Sequence, residues 1–517
     1  MSAETIPETG SPAVTLTAGE RVLGGVDRGR EPVHAGMAFG GDWHRSGAVG
    51  PRIDCVDPST EELLGTVPAA TAEEADLAVR AAHQASAGWR ALGWRRRSEL
   101  LHDLADAVLG RAEELARLDV IDSGNPILGM RSDVQSAANE LRYYAGIAQL
   151  THGTSIPTGS GTVAFTQREP YGVVLRIVPF NHPFKFACGK AAAGLAAGNA
   201  VIVKPGEQTS LSAIALAEIA QEVLPPGVLS VITGTGPEVG TALVAHPLIQ
   251  RVAFTGSVPT GRRILEAAAP NISHVTLELG GKNPLVVCPD VDPEWAADRA
   301  FSSMNIVRSN GQSCGSMSRI YVHQSILAPF TEALTARIAG ARIGDPLEEA
   351  TDVGPLAFRE HHDRVLGHIR RALDEGAHLA IGGGRPPGLE RGWFVQPTVF
   401  TGVSDEMAIA REEVFAPVIC VLSWSELDDV VRRANNSTLG LTAGVLTRDV
   451  GVAHLLAERL EAGFVTVNGA GRRPPGAPFG GWKQSGLGNE NSPEELLSYT
   501  REKAITLIQP DNLPSWA

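Results

Sequence analysis

Positive charge is in short supply in this chain. Lys and Arg number 44 against 58 Asp and Glu, a formal net charge of −14. A surface that binds nucleic acid must neutralise phosphates, so the balance argues against that class of partner. Cysteine is also scarce: Cys55, Cys188, Cys288, Cys314 and Cys420 are scattered, odd in number and without CxxC spacing. That argues against a disulfide framework and against a zinc site, and it fits a reducing compartment. No uninterrupted apolar run approaches the length of a membrane span. Residues 1–20 carry acidic, Thr, Pro and Ser residues instead of a basic start and an apolar core, unlike a signal peptide. There is no GxxxxGK[ST] phosphate loop and no internal repeat of solenoid length. The expectation is a soluble, cytoplasmic protein with no metal, no nucleic acid and no membrane among its partners.

What is present is length and glycine. The 517 residues suit two or three domains, and 57 glycines suit tight turns and close backbone approaches to a ligand. Residues 1–36 show no sustained period and are expected to form a mobile tail. Thr71-Ala72-Glu73-Glu74 has the form of a capping box opening a helix toward Trp89. The basic run Arg95-Arg96-Arg97 precedes an amphipathic stretch, 98–118, and reads as a solvated helix start. Residues 151–169 are strand-like pieces that suit an exposed arm. From Tyr171 strands alternate with helices: strands at 173–178, 200–203, 229–232 and 251–254, with helices at 188–195 and 211–223. A second series has strands at 284–287, 319–322 and 418–422, with helices at 326–339 and 361–375 between. Such alternation predicts an α/β class with two parallel sheets in series.

Several stretches at strand ends could carry chemistry. Cys314 sits in Asn310-Gly311-Gln312-Ser313-Cys314-Gly315-Ser316, among small and polar residues. Such neighbours leave a sulfur accessible and backbone N–H groups near it, which suits a nucleophile; a structural cysteine is the other reading. Asn181 could donate to a developing oxyanion or simply form an Asx turn before Pro183. Lys204 and Glu207 close a strand and could grip ribose hydroxyls, the carboxylate repelling a 2′-phosphate, or form a surface ion pair. Gly234-Thr235-Gly236-Pro237-Glu238-Val239-Gly240 approximates a dinucleotide fingerprint with GxGxxxG spacing, and Phe254-Thr255-Gly256-Ser257 is a second strand-to-helix turn. Glu278, beside Gly280 and Gly281, is a general-base candidate or a salt-bridge partner of Lys282. Glu413 with Phe415 suits a ribose and a planar heterocycle, or a helix-to-strand junction.

Together and in this order, these stretches resemble the aldehyde dehydrogenase superfamily from about Asp57 to the C-terminus. The resemblance implies a Rossmann-like dinucleotide-binding domain (37–150 and 172–282), a second α/β catalytic domain (283–484) and a small β oligomerisation arm (151–171 and 485–517). It implies oxidation of an aldehyde to the acid through a cysteine thiohemiacetal, hydride transfer to a nicotinamide, and hydrolysis of a thioester. Cys314 would be the nucleophile, Asn181 with the Cys314 N–H the oxyanion hole, and Glu278 the base for the deacylating water. Lys190 and Glu490 stand where relatives carry proton-relay residues. NAD is implied as cofactor, with NADP open, and Ile177, Pro179, Phe180, Lys204, Glu207, Gly236, Gly240, Phe254, Gly256, Ser257, Leu279, Glu413 and Phe415 would hold it. His182, Lys185, Gly189, Asn468, Arg473 and Phe479 would meet the substrate, and the arm would join copies into a homodimer or homotetramer.

The sequence also departs from the family pattern. His182 replaces a usual aromatic, Gly189 a bulky aromatic (implying a wider tunnel), Ala416 a glycine and Asn489 an arginine. Lys185, Arg472 and Arg473 bring positive charge toward the expected entrance, which suits an aldehyde bearing a carboxylate, such as a semialdehyde. Two alternatives stand beside the main reading. Coenzyme-A-acylating relatives generally lack the glutamate present here as Glu278. A non-catalytic relative would have lost Cys314, Asn181 or Glu278, and none is lost.

Overall fold

Short runs of Val, Ile, Leu and Ala become parallel strands here because both of their faces are covered. In a computed structural model that describes residues 21–44, 51–469 and 474–509, Val173–Ile177 lies at the middle of an eight-stranded sheet. His274–Glu278, Ile249–Thr255, Val173–Ile177, Ala200–Lys204 and Leu229–Val231 run parallel side by side. Gly486–Leu487 closes one edge antiparallel, and at the other Met37–Phe39 pairs antiparallel with Leu229–Val231 and carries Asp42–His44 as the edge strand. A seven-stranded sheet is built on Pro284–Val287, Arg319–His323, Val418–Trp424 and Thr442–Leu446, also parallel. Parallel strands point all their carboxyl ends the same way, so side chains that follow them gather at one end of each sheet. Thr500–Ile508 pairs antiparallel with Thr162–Pro170 along its whole length, and Ser155–Ile156 adds a third strand.

The helices follow local chemistry with some differences from expectation. Thr71 caps Ala72–Ala91 in a complete capping box with Glu74. The stretch 98–118 is two helices, Gly93–Gly110 and Ala112–Ser123, broken at Arg111. The helix expected at 188–195 starts earlier, as Pro183–Gly189 and then Ala192–Ala196, because Pro183 sits in the first turn, where its fixed φ is favourable. Residues 21–36 belong to the folded body rather than to a tail: Val22 and Leu23 are buried and both backbone N–H groups donate to Glu218. Residues 1–20 lie outside the described residues. Among the described residues no helix is long and apolar enough to cross a membrane.

Asp119 lies fully buried at the start of Pro183–Gly189, accepting from Phe184 N at 3.1 Å. Burial pushes its pKa up to about 7, against the pull of the Ser212 and Phe184 hydrogen bonds. A folded-state value above the unfolded one means its stabilising contribution is complete below pH ~4 and is lost as pH rises through about 7. Asp119→Asn removes that titration. Between pH 5 and pH 8 the melting temperature of the variant is expected to fall less than that of the native protein, as read by circular dichroism.

Candidate active site

The short helix Ile306–Ser309 ends at Asn310 with φ +53°, and Gly311 follows at φ +72°. A side chain at Gly311 would come within 2.6 Å of the Ala416–Pro417 backbone, so the turn needs glycine on both counts. Asn310 then clamps the loop. Its Nδ2 donates to Gly124 O at 2.8 Å and Pro355 O at 2.9 Å, and its Oδ1 accepts from Gly354 N at 2.8 Å. Gln312 Oε1 accepts from Ala357 N at 3.1 Å, and Asn283 Nδ2 donates to Cys314 O at 2.7 Å. Held this way, Ser313, Cys314 and Gly315 form part of the wall of a cavity of about 380 Å³. The other four cysteines are buried, so Cys314 is the thiol placed for chemistry.

Glu278, last residue of its strand and 2% exposed, lines the same cavity. Asn181 lies behind the wall, where its Nδ2 donates to Gln312 O at 2.8 Å across 131 residues of chain. That bond, rather than an Asx turn, orients the amide. Asn125 Nδ2 holds the Asn181 carbonyl at 2.9 Å. Lys190 also lines the cavity and is ion-paired with Glu490, which Arg176 binds from the other side. Burial of Glu490 favours its neutral form, but the two cations outweigh it and hold the carboxyl below the usual range.

His182, Lys185 and Phe479 line the cavity as expected of substrate contacts, whereas Gly189 does not. A Cβ at Gly189 would collide with the Glu140 carboxylate, so Glu140 occupies the room an aromatic would fill there, and it is Glu140 that meets the cavity. Asn468 does not line the cavity either: its amide is engaged at both ends with Thr447, at 2.8 and 3.0 Å. Arg472 and Arg473 lie outside the described residues. The lining charges are mixed, with Lys185, Lys190 and Arg308 beside Glu140 and Glu278. Arg308 is ion-paired to buried Asp133 and Lys190 to Glu490, and of the positive rim expected from Lys185, Arg472 and Arg473 only Lys185 lies within the described residues.

The residues expected to hold a dinucleotide gather at the carboxyl ends of the eight-stranded sheet. Ile177, Pro179 and Phe180 end one strand, and Lys204 and Glu207 the next. Phe254, Gly256 and Ser257 end a third, and Leu279 follows a fourth. Glu207 Oε1 accepts from Gly236 N at 2.6 Å, at the head of the turn Gly236–Gly240, and lies 4.0 Å from Lys204 Nζ. Burial brings the Lys204 ammonium down to about 8, opposed by Glu207. Ser257 caps Val258–Ala268, whose N-terminus therefore faces the same end of the sheet. Glu413 is seated over Gly280, where any side chain would strike it, and accepts from Gly281 N at 3.0 Å. Burial pushes Glu413 up to about 7 against that N–H and Lys282. Phe415 has φ +58° and meets Phe180 edge-on at 5.8 Å. A glycine-backed carboxyl, a buried ammonium and two helix-type N-termini fit a ribose–diphosphate–ribose ligand.

Sequence reasoning missed Asp133, Glu140, Tyr143, Tyr144, Arg176 and Arg308. Four of these lie on one helix, Ile127–Ile147, where Ser136, Glu140, Tyr143 and Tyr144 recur at helical spacing along the cavity. That polar stripe was the available signal.

The family model described as "Aldehyde dehydrogenase family" matches residues 43–505. An aldehyde dehydrogenase from Bacillus cereus in its NAD+ complex is 38% identical with TM-score 0.88, over 92% of this chain and 96% of that one. Betaine aldehyde dehydrogenase from Staphylococcus aureus in complex with NAD+ is 33% identical with TM-score 0.91, over 96% and 98%. An aldehyde dehydrogenase from Brucella melitensis biovar abortus 2308 is 33% identical with TM-score 0.87, over 92% and 97%.

Proposed function

From the premise that this chain belongs to the aldehyde dehydrogenase family, and so oxidises an aldehyde to its carboxylic acid with NAD(P), we propose the roles of its residues. Cys314 Sγ attacks the aldehyde carbon, and the Asn181 amide with the Cys314 N–H receives the charge that develops on oxygen. A bound nicotinamide would supply the acceptor for the hydride that this carbon must lose. Glu278 then takes a proton from the water that hydrolyses the thioester. Lys190 and Glu490 form the route by which that proton leaves. One observation carries the assignment: Cys314 and Glu278 share one cavity while the Asn181 amide reaches Gln312 O at 2.8 Å, although the three come from separate segments of the chain.

Lys204, Glu207, Ser257, Glu413 and Phe415 would hold the dinucleotide. Glu207 is tied to Gly236 N, and its fixed negative charge supports NAD over NADP, whose 2′-phosphate it would repel. The test is reduction of NAD and of NADP, followed by absorbance, with a panel of aldehydes and with and without coenzyme A. Turnover independent of coenzyme A is expected. In Glu207→Gln the ratio of kcat/KM for NAD over NADP is expected to fall by roughly tenfold. No reduction of either dinucleotide would end the reading.

The three-stranded arm supports self-association. Ile156, Val163, Leu507 and Ile508 are exposed on it, and Thr500–Ile508 offers an open edge. Such an edge invites a second copy of the chain, as a dimer or tetramer.

A further inference from the structure

One lining residue has a built support that the dehydrogenase roles leave unused. His182 Nδ1 is bonded to Asp133, and the imidazole meets Phe186 edge-on with ring centroids 5.3 Å apart. Asp133 is fully buried on the helix Ile127–Ile147, and its second oxygen accepts from Arg308 Nε at 3.2 Å. Burial alone would push the Asp133 pKa up, but His182, Lys185 and Arg308 together bring it well below the usual carboxylate range. An ionised carboxylate only accepts, so the proton at this contact is on Nδ1 and the lone pair is on Nε2. Burial of the ring disfavours a second proton, Asp133 opposes that, and Arg308 and Lys185 add to it. His182 lines the cavity whereas Asp133 does not, so Nε2 is the ring nitrogen left for the cavity. Among the described residues no group is bonded to it.

We propose that Asp133 is a positioning residue that holds His182 as a fixed hydrogen-bond acceptor, and that the substrate is an aldehyde carrying a hydroxyl close to its carbonyl carbon. The closeness follows from the chain: His182 is next to Asn181, whose amide reaches the carbonyl two residues before Cys314. A carboxylate would face a lone pair at Nε2, and an apolar substituent would leave that acceptor buried without a partner. A hydroxyl donates to it, and a site built to hydrogen-bond a hydroxyl rejects the analogue that lacks one. The inference rests on the reading of this cavity as the aldehyde site.

The experiment compares kcat/KM for lactaldehyde and glyceraldehyde with that for propanal, in the native enzyme and in His182→Phe and Asp133→Leu. The native enzyme is expected to favour the hydroxylated aldehydes by about tenfold or more, and His182→Phe to bring the ratio close to one through KM for the hydroxylated partner. Asp133→Leu is expected to do the same, and Asp133→Asn, which keeps an acceptor oxygen for Nδ1–H, to retain the preference. Should the leucine variant not fold, His182→Phe carries the test alone. Equal constants in the native enzyme, or a preference that survives His182→Phe, overturn the proposal while leaving the dehydrogenase reading intact. Absence of turnover with every aldehyde overturns both.

Discussion

Cys314→Ala is expected to lower dinucleotide reduction by roughly 10⁵–10⁶-fold, the scale of loss when a covalent nucleophile is removed from an otherwise intact site. The reason is that no other described thiol is placed to replace it, since Cys55, Cys188, Cys288 and Cys420 are buried. The fold should not notice the change. Cys314 is only half-buried, and its loop is held by the Asn310, Gln312 and Asn283 side chains through backbone groups. Surface-facing substitutions away from packed features typically stay within about 0.5 kcal/mol. Absorbance at the reduced nicotinamide band and a thermal melt, run on the same sample, check both halves. Residual turnover above that range, or a collapsed melt, would remove Cys314 from its role.

Glu278→Gln is expected to separate the two halves of the reaction. Glutamine keeps the shape of the side chain but cannot take a proton, and in the proposed mechanism thioester formation at Cys314 does not call on Glu278. A rapid burst of reduced dinucleotide, close to one per active centre, should therefore precede a steady state slowed by about 10²–10⁴-fold. The position of Glu278 explains the severity: it is 2% exposed, so bulk water has little access to stand in for it. Stopped-flow absorbance reads the burst directly. Equal losses in burst and steady state would mean that Glu278 acts before the thioester forms.

Much of this arrangement was legible because strand ends in parallel sheets are where function collects. The runs at 173–178, 200–203 and 284–287 could be read directly from their apolar content, and the side chains after the first two fell in the expected place. Partnerships were harder to read. Nothing local in Glu490 announces Arg176, because the pair joins positions 314 residues apart inside the fold. Glu140 could not be inferred from Gly189, since the glycine suggested open space and only packing reveals which side chain enters it. Asn468 looked like a cavity residue by its position, yet Thr447 engages its whole amide. The helix Ile127–Ile147 went unread because no apolar period dominates it: one side faces core and another faces the cavity.

The clamp at Asn310 has a bearing on how this protein ages. An asparagine followed by glycine is the pair most prone to deamidate, since the glycine N–H can close on the side-chain carbonyl through a succinimide. Here the Asn310 side chain is tethered at three points and shut away from water, which withholds the geometry that ring closure needs. Any excursion that frees the loop exposes the pair, and an aspartate formed at that point would place a charge against two carbonyls that it cannot donate to. Inactivation on storage would then be one-way, set by how often the loop opens rather than by the equilibrium between folded and unfolded chains.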